Sequence, residues 1–278
     1  MLAQRREQAG LTKYAAAQIV DTSQQTVARI EDGLKAKVSQ LWINTWADSY
    51  GLTSDERRVM LGLAQEIGSA QKSWWRAYAD EMRVGFDHYV SLEDSARKLS
   101  VWKLAIVPGL LQTPGYRRAI AWAETPNAPT DQVEKRVEFA VRRQARLVEP
   151  KFHLDVILSE MVLRDQVGGV GVMGEQLRSL AEVGQRSNVS LRVVPFDATG
   201  HLGSLVGSFV LLEFPKLPAT GMTEPPVVFV EEFAGDLYLE REAEVQRYRY
   251  AFAEVSRAAL DLDRTRQLLL SIAKEYGP

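Results

Sequence analysis

The chain has 278 residues, 46% of them hydrophobic and 25% charged, with a net charge of −2. That is an ordinary globular composition, long enough for roughly two domains of about 100–200 residues each. Without cysteine it can form neither disulfides nor thiolate zinc sites. No apolar run approaches the ~18–20 residues that span a bilayer, and the opening MLAQRREQAG lacks the apolar core of a signal peptide. The expected location is cytoplasmic.

The N-terminal part reads as a run of short helices. Leu2 to Ala9 is polar and helical, and Gly10 stops it. Thr12 caps a second helix, Lys13 to Ile19, made of strong helix formers. Val20, Asp21 and Thr22 form a tight turn. Ser23 to Asp32 is a third helix, ended by Gly33 as a C-cap glycine ends one. Val27 and Ile30, three apart, share one face of it. Gln24 and Gln25 stand in its first turn, off that apolar stripe. Leu41, Trp46, Ala47 and Tyr50 mark a fourth helix that stops at Gly51, and a fifth runs from Thr53–Asp55 to about Ile67. The small, polar stretch from Gly68 to Ser73 is the expected boundary between a domain of residues 1–67 and one of residues 73–278.

Beyond the boundary the pattern mixes strands and helices. Ser73 to about His88 reads as an aromatic helix containing Trp74, Trp75 and Tyr78, and Ser91 to Glu93 as the cap of a following helix or turn. The stretch SVWKLAIVPGLLQT reads as a strand and turn ending at Pro108 and Gly109. Pro114 opens a helix, AETPNAPT is a loop, and Asp131 to Val148 is a long charged helix. On that helix Arg142, Arg143 and Arg146, with Glu134 and Glu138 nearby, are expected to form a solvated, salt-bridged face. Phe152–Ser159, Val189–Phe196, Ser208–Phe214 and Val227–Phe233 are the strands, Met173 to Ser187 is an amphipathic helix, and Asp236 belongs to a turn. Two closing helices run from Glu240 to about Ala259 and from Asp261 to Tyr276. The fold class expected is α+β, an all-α N-terminal helix-turn-helix domain followed by a larger α+β regulatory domain.

Two helices joined by a turn of ~3–4 residues, the second with polar residues at its start, are the layout of a helix-turn-helix that lays its second helix in the DNA major groove. Ala16 and Ala17 let the helices cross closely, and Val20, Val27 and Ile30 join them. The outward residues then have tasks. Gln24 and Gln25 can each set an amide against adenine N6 and N7. Arg29, one turn on, reaches guanine or a phosphate, and the Thr26 and Ser23 hydroxyls suit phosphates or a thymine edge. Lys13 opens a helix whose N–H groups already favour phosphate. Lys35 and Lys37, past the reader helix, clamp the backbone. The bland alternative is a helical bundle whose surface glutamines merely solvate it. The electrostatics are weak: in the first 50 residues six basic side chains (Arg5, Arg6, Lys13, Arg29, Lys35, Lys37) face five acidic ones (Glu7, Asp21, Glu31, Asp32, Asp48), a net of +1. Non-specific affinity comes mostly from phosphate neutralisation, so dimerisation would matter.

The stretch GLTKYAAAQIVDTSQQTVARIEDG resembles the Cro/cI-type (xenobiotic-response-element) helix-turn-helix, and TSQQTVARIEDG is similar to the reader helix of lambdoid phage repressors. By that resemblance Gln24, Gln25 and Arg29 face base edges. Asp21 stands where the family's turn often has Gly, and Asp tolerates left-handed backbone better than most residues. The family's first helix usually begins about a turn before Met1, so either the domain is marginal or the start lies upstream. VWKLAIVPGLLQTPGYRRA, VGGVGVMGEQLRSL, VSLRVVPFDATGHLGSLVGSFVLLEF and VEEFAGDLYLEREAEVQRYRYAF resemble stretches of actinobacterial helix-turn-helix regulators with an antitoxin-like C-terminal domain, the WhiJ-like group among them. The resemblance implies a DNA-binding, nucleoid-associated transcriptional regulator, a homodimer, and a small protein partner encoded by an adjacent gene.

One motif competes with that reading. Gly169 to Gly174 matches G-x-G-x-x-G and opens a helix, with Asp197 beyond it at a strand end, which is the layout of a dinucleotide site. A nucleotide-binding enzyme in residues 150–278 is therefore the alternative. Against it, MVLRDQV separates the glycines from their strand. His88, His153 and His201 are scattered without metal-ligand spacing, no serine sits in a nucleophile elbow, and Glu231 and Glu232 read as a strand's exit into solvent. No catalytic residue, cofactor or metal is expected.

Overall fold

The protein is described by a computed structural model over residues 2–31, 38–70, 74–83, 85–216 and 223–277. The chain divides into two compact units, Met1–Arg76 with Lys216–Thr223, and Ala77–Pro215 with Glu224–Pro278. Among the described residues no helix is long and apolar enough to cross a membrane.

The first unit holds α1 (Leu2–Gln8), α2 (Lys13–Ile19), α3 (Gln24–Glu31), α4 (Gln40–Ser49) and α5 (Ser54–Ala70). Three of these helices end in the same way. The chain passes through a left-handed residue at Gly10 (φ 71), Asp21 (φ 50) and Gly51 (φ 65). The next N–H then reaches back five residues: Leu11 to the Arg6 carbonyl at 3.1 Å, Thr22 to Ala17 at 2.9 Å, and Leu52 to Ala47 at 2.9 Å. This is the Schellman ending, in which a left-handed residue lets orphan carbonyls be satisfied. The fully buried Trp46 forms the centre of the core, its indole N–H donating to the Ala16 carbonyl at 2.8 Å. Ala16, Ala17, Val27, Ile43, Tyr50 and Met60 close around it. Small side chains at 16 and 17 let α3 approach α2.

The second unit is a mixed sheet flanked by helices. In chain order its elements are α6 (Phe86–Ser95), β1 (Lys98–Lys103), α7 (Pro114–Glu124), α8 (Thr130–Arg143), β2 (His153–Ser159), α9 (Met161–Arg164), α10 (Val170–Val183), β3 (Val189–Val194), α11 (Gly203–Val206), β4 (Phe209–Glu213), β5 (Val227–Glu232), β6 (Gly235–Leu239), α12 (Glu242–Ala258) and α13 (Leu262–Glu275). The strand order is β3-β2-β1-β4-β5-β6. β1, β2 and β3 are parallel, β4 runs antiparallel to β1, β5 antiparallel to β4, and β6 antiparallel to β5. The parallel strands are joined by helical crossovers, as parallel pairing requires, while β5 and β6 share a two-residue turn. One sheet face buries Trp102, Ile157, Val194, Phe209, Leu211, Val228 and Val230 against Val245 and Val255 of α12.

Several expectations are corrected. Trp74–Glu81 is a 3-10 helix, and α6 begins separately at Phe86 after Gly85 with φ 84. Ser91 and Glu93 therefore lie inside α6 and cap nothing. The long helix from 131 is α8 followed by a 3-10 turn, Gln144–Val148. Asp236 lies in the strand β6 and not in a turn, and its carboxylate accepts from Arg83 at 2.9 and 3.0 Å.

Arg143 is the largest correction. It does not lie on a solvated face but is 8% exposed and pairs bidentately with Glu93, itself 3% exposed, at 2.8 and 2.7 Å. The rings of Phe86, Tyr89 and Phe139 surround the guanidinium at 5.3, 5.9 and 5.7 Å. Burial by itself lowers the Arg143 pKa, but the Glu93 carboxylate outweighs it and holds the pKa above its ordinary value. Burial also pushes the Tyr89 phenol far up, and Glu93 adds to that. Arg146 likewise turns inward, donating to the carbonyls of Asp94 and Ala96. Breaking one partner of a buried pair leaves an uncompensated charge. Arg143→Met is therefore expected to lose about 3–5 kcal/mol in urea denaturation, and Arg143→Met with Glu93→Leu to recover most of that loss. Equal losses in the single and double variants would show that the two groups are not coupled.

Candidate nucleic-acid interface

The α2–turn–α3 segment is built by local bonds. Thr12 caps α2, its Oγ1 accepting from the Ala15 N–H at 3.1 Å. Asp21 supplies the left-handed residue of the turn. Ser23 caps α3, its Oγ accepting from the Thr26 N–H at 3.1 Å and bonding the Thr26 hydroxyl at 3.0 Å. Val27 is fully buried and Ile30 packs against the same core, so the opposite side of this eight-residue helix must face outward. Gln25 and Arg29 are exposed on that side, and Gln24 is exposed at the first position of the helix. Among the described residues no ion pair engages Arg29.

The remaining expected site residues are placed less freely. The Ser23 and Thr26 hydroxyls are bonded to each other, so each offers only its residual hydrogen-bonding capacity. Lys13 begins α2, partly exposed, with Nζ 3.9 Å from Glu31. Lys35 and Lys37, together with the helix stop at Gly33, lie outside the described residues.

Two side chains that hold α3 are not among the expected site residues. Arg6 and Glu31 are 5% and 2% exposed and pair through two bonds, 2.7 and 3.0 Å, while Arg6 also donates to the Leu11 carbonyl at 2.8 Å. One arginine thus ties α1, the α1–α2 turn and the end of α3 together. Its hydrogen bond to Glu31 raises its pKa. Tyr50 lies in the same neighbourhood, its phenol pushed up to about 12 by burial and then by Glu31, with Arg6 opposing. The sequence does carry a signal for Glu31. It stands four residues after the buried Val27, which puts it on the inward face.

The competing motif has a packing role. Gly169 caps α10, and Gly171 and Gly174 lie within that helix. β2 ends at Ser159 and α9 intervenes, so these glycines do not make a strand-to-helix turn of the dinucleotide kind. At Gly168 (φ 74) a Cβ would sit 2.9 Å from the Ala119 side chain and 3.0 Å from Val172, which explains the glycine by the contact of α7 with α10. His201 is engaged locally, its Nδ1 accepting from the Gly203 N–H at 3.1 Å, while Trp102 donates to the Gly203 carbonyl at 3.1 Å. His88 packs against Tyr238 with the rings tilted, and His153 is exposed at the start of β2. Glu231, on the exposed end of β5, pairs with Arg83 at 3.3 Å and Lys103 at 3.4 Å.

Comparison with known families finds two matches. A model described as a helix-turn-helix domain matches residues 1–60. A model described as a domain of unknown function (DUF5753) matches residues 86–271. No curated protein and no solved structure matches the chain. The helix-turn-helix domain supports a DNA-binding regulator.

The turn generates a stability prediction. A β-branched residue in the left-handed region costs about 1–2 kcal/mol, while glycine carries no such cost. In thermal melts Asp21→Val should therefore lower the midpoint by the equivalent of about 1–2 kcal/mol, and Asp21→Gly should leave it unchanged or raise it. Equal losses for both would mean that the backbone conformation is not what Asp21 supplies.

Proposed function

We propose, for a chain that belongs to the DUF5753 family over most of its length and carries a helix-turn-helix ahead of it, the function of a sequence-specific transcriptional regulator. The observation that carries this reading is the outward face of α3. Its two carboxamides stand exposed in the first turn of a capped helix, and one turn beyond stands a guanidinium that no ion pair among the described residues engages, while Val27 and Glu31 anchor the inward side. Gln24 and Gln25 read adenine edges, Arg29 reads guanine or a phosphate, and Lys13, Ser23 and Thr26 position the duplex. Lys35 and Lys37 add backbone contacts.

The second unit dimerises and receives a small protein partner or an effector. Its action is positional. A homodimer sets two reader helices one DNA turn apart, ~34 Å, and a partner that alters this spacing changes operator affinity without touching a base. The modest positive charge of the N-terminal residues supports this reading, because so few phosphate contacts per subunit leave affinity dependent on two subunits acting together.

On the operator recovered by genome-wide mapping of bound DNA, Gln24→Ala should cost about 1–3 kcal/mol and relax one base position. An equal loss on every sequence would remove the base-reading role. Lys35→Ala should weaken binding uniformly across sequences and flatten the salt dependence by about one unit of slope. An unaltered slope would rule out its phosphate contact.

A further inference from the structure

The two ends of the six-stranded sheet are finished differently. At β3 the edge is covered where α12 gives way to α13: the Leu260 N–H donates to the Val193 carbonyl at 2.8 Å, and the Val193 N–H donates to the Thr265 hydroxyl at 3.2 Å. At the other end β6 has β5 on one side and, among the described residues, no strand on the other. Natural proteins usually blunt such an edge with charge, proline, a bulge or a covering segment. On β6 the only charged side chain, Asp236, is tied down by Arg83. Leu237 is 53% exposed and Phe233, in the adjoining turn, is fully exposed.

The register decides which backbone groups are free. β5 and β6 pair as Glu232↔Gly235, Val230↔Leu237 and Val228↔Leu239, closed by Phe233 and Ala234. In a hairpin with a two-residue turn the pair flanking the turn is hydrogen-bonded, and bonded and non-bonded pairs then alternate. Gly235, Leu237 and Leu239 therefore direct their N–H and C=O groups toward β5. Asp236 and Tyr238 direct theirs outward.

The geometry points to β6 as the surface through which two copies of this chain join, antiparallel, about a two-fold axis passing at Leu237. In that register Asp236 lies opposite the partner's Tyr238 and Tyr238 opposite the partner's Asp236. All four residues have outward backbone groups, and the two pairs exchange main-chain hydrogen bonds. Leu237 meets the partner's Leu237 at a non-bonded pair, where Cα atoms approach to about 4.5 Å. Neighbouring registers lose the Leu237 pair: an axis at Asp236 sets Leu237 opposite the partner's Gly235, and an axis at Tyr238 sets Asp236 opposite the partner's Glu240. This interface deepens the dimer of the function proposed above and depends on that reading for its purpose, not for its geometry.

The 278-residue chain has no cysteine, so Leu237→Cys in it carries a single thiol. Two such thiols on a non-bonded antiparallel pair lie within the ~4.4–6.8 Å Cα separation a disulfide needs. Mild oxidation at micromolar protein should convert Leu237→Cys to a covalent dimer on a non-reducing gel, while Leu205→Cys, at a residue 82% exposed on α11, stays monomeric. In light scattering the wild type should be a dimer, and Leu237→Lys should dissociate about tenfold or more readily. Leu237→Cys cross-linking no faster than Leu205→Cys, a wild type that is monomeric, or a dimer indifferent to Leu237→Lys would each overturn the proposal. Cross-linking without any Gln24-dependent DNA binding would instead sink the DNA reading and leave the interface standing.

Discussion

Everything the N-terminal unit can present to a ligand depends on how an eight-residue helix is held. A helix of that length is not stable by itself in water. α3 is held at three points: the Ser23 cap at its start, Val27 buried against the small Ala16 and Ala17 in its middle, and the Arg6–Glu31 pair at its end. The last of these is buried, so its two hydrogen bonds fix direction as well as position. With the inward side fully committed, Gln25 and Arg29 face outward and Gln24 stands exposed at the helix's first position. A buried charge pair contributes little net stability over an apolar substitute, and here it supplies orientation.

The second unit applies the same device on a larger scale. Arg143 and Glu93 join α8 to α6 under a lid of aromatic rings, and Arg146 satisfies carbonyls at the end of α6. Charged side chains thus bridge helices at places where apolar residues alone would leave the angle between them soft. Glycine serves close approach in the same unit. Gly203 passes beneath Trp102 where a Cβ would lie 2.5 Å from the indole.

Helices and long strands were legible because their patterns are local. Thr12, Thr113 and Asp261 all cap helices by accepting backbone N–H bonds, and the alternation in His153–Ser159 gives a strand. The candidate reader residues were legible as exposed because Val27 and Ile30 fix the helix phase. What stayed hidden is non-local. Nothing near Arg143 in the sequence announces Glu93, fifty residues earlier. β6 is too short and too poor in alternating apolar residues to be seen without β5 beside it. The break between the 3-10 segment and α6 is also non-local in origin: Gly85 stands left-handed directly before Phe86.

The order of the sheet has a temporal consequence during synthesis. The hydrophobic core of the first unit is drawn from residues 2–64, so its components are all synthesised by about residue 70. The central strand β1, complete at Lys103, must wait for β2 to close one side and for β4, complete at Glu213, to close the other. At a ribosomal rate of about 5–20 residues per second that second wait is roughly 5–20 s. Each nascent chain therefore passes through an interval in which a finished helical module leads an unfinished sheet. Through that interval LSVW must be shielded from strands of neighbouring nascent chains on the same polysome.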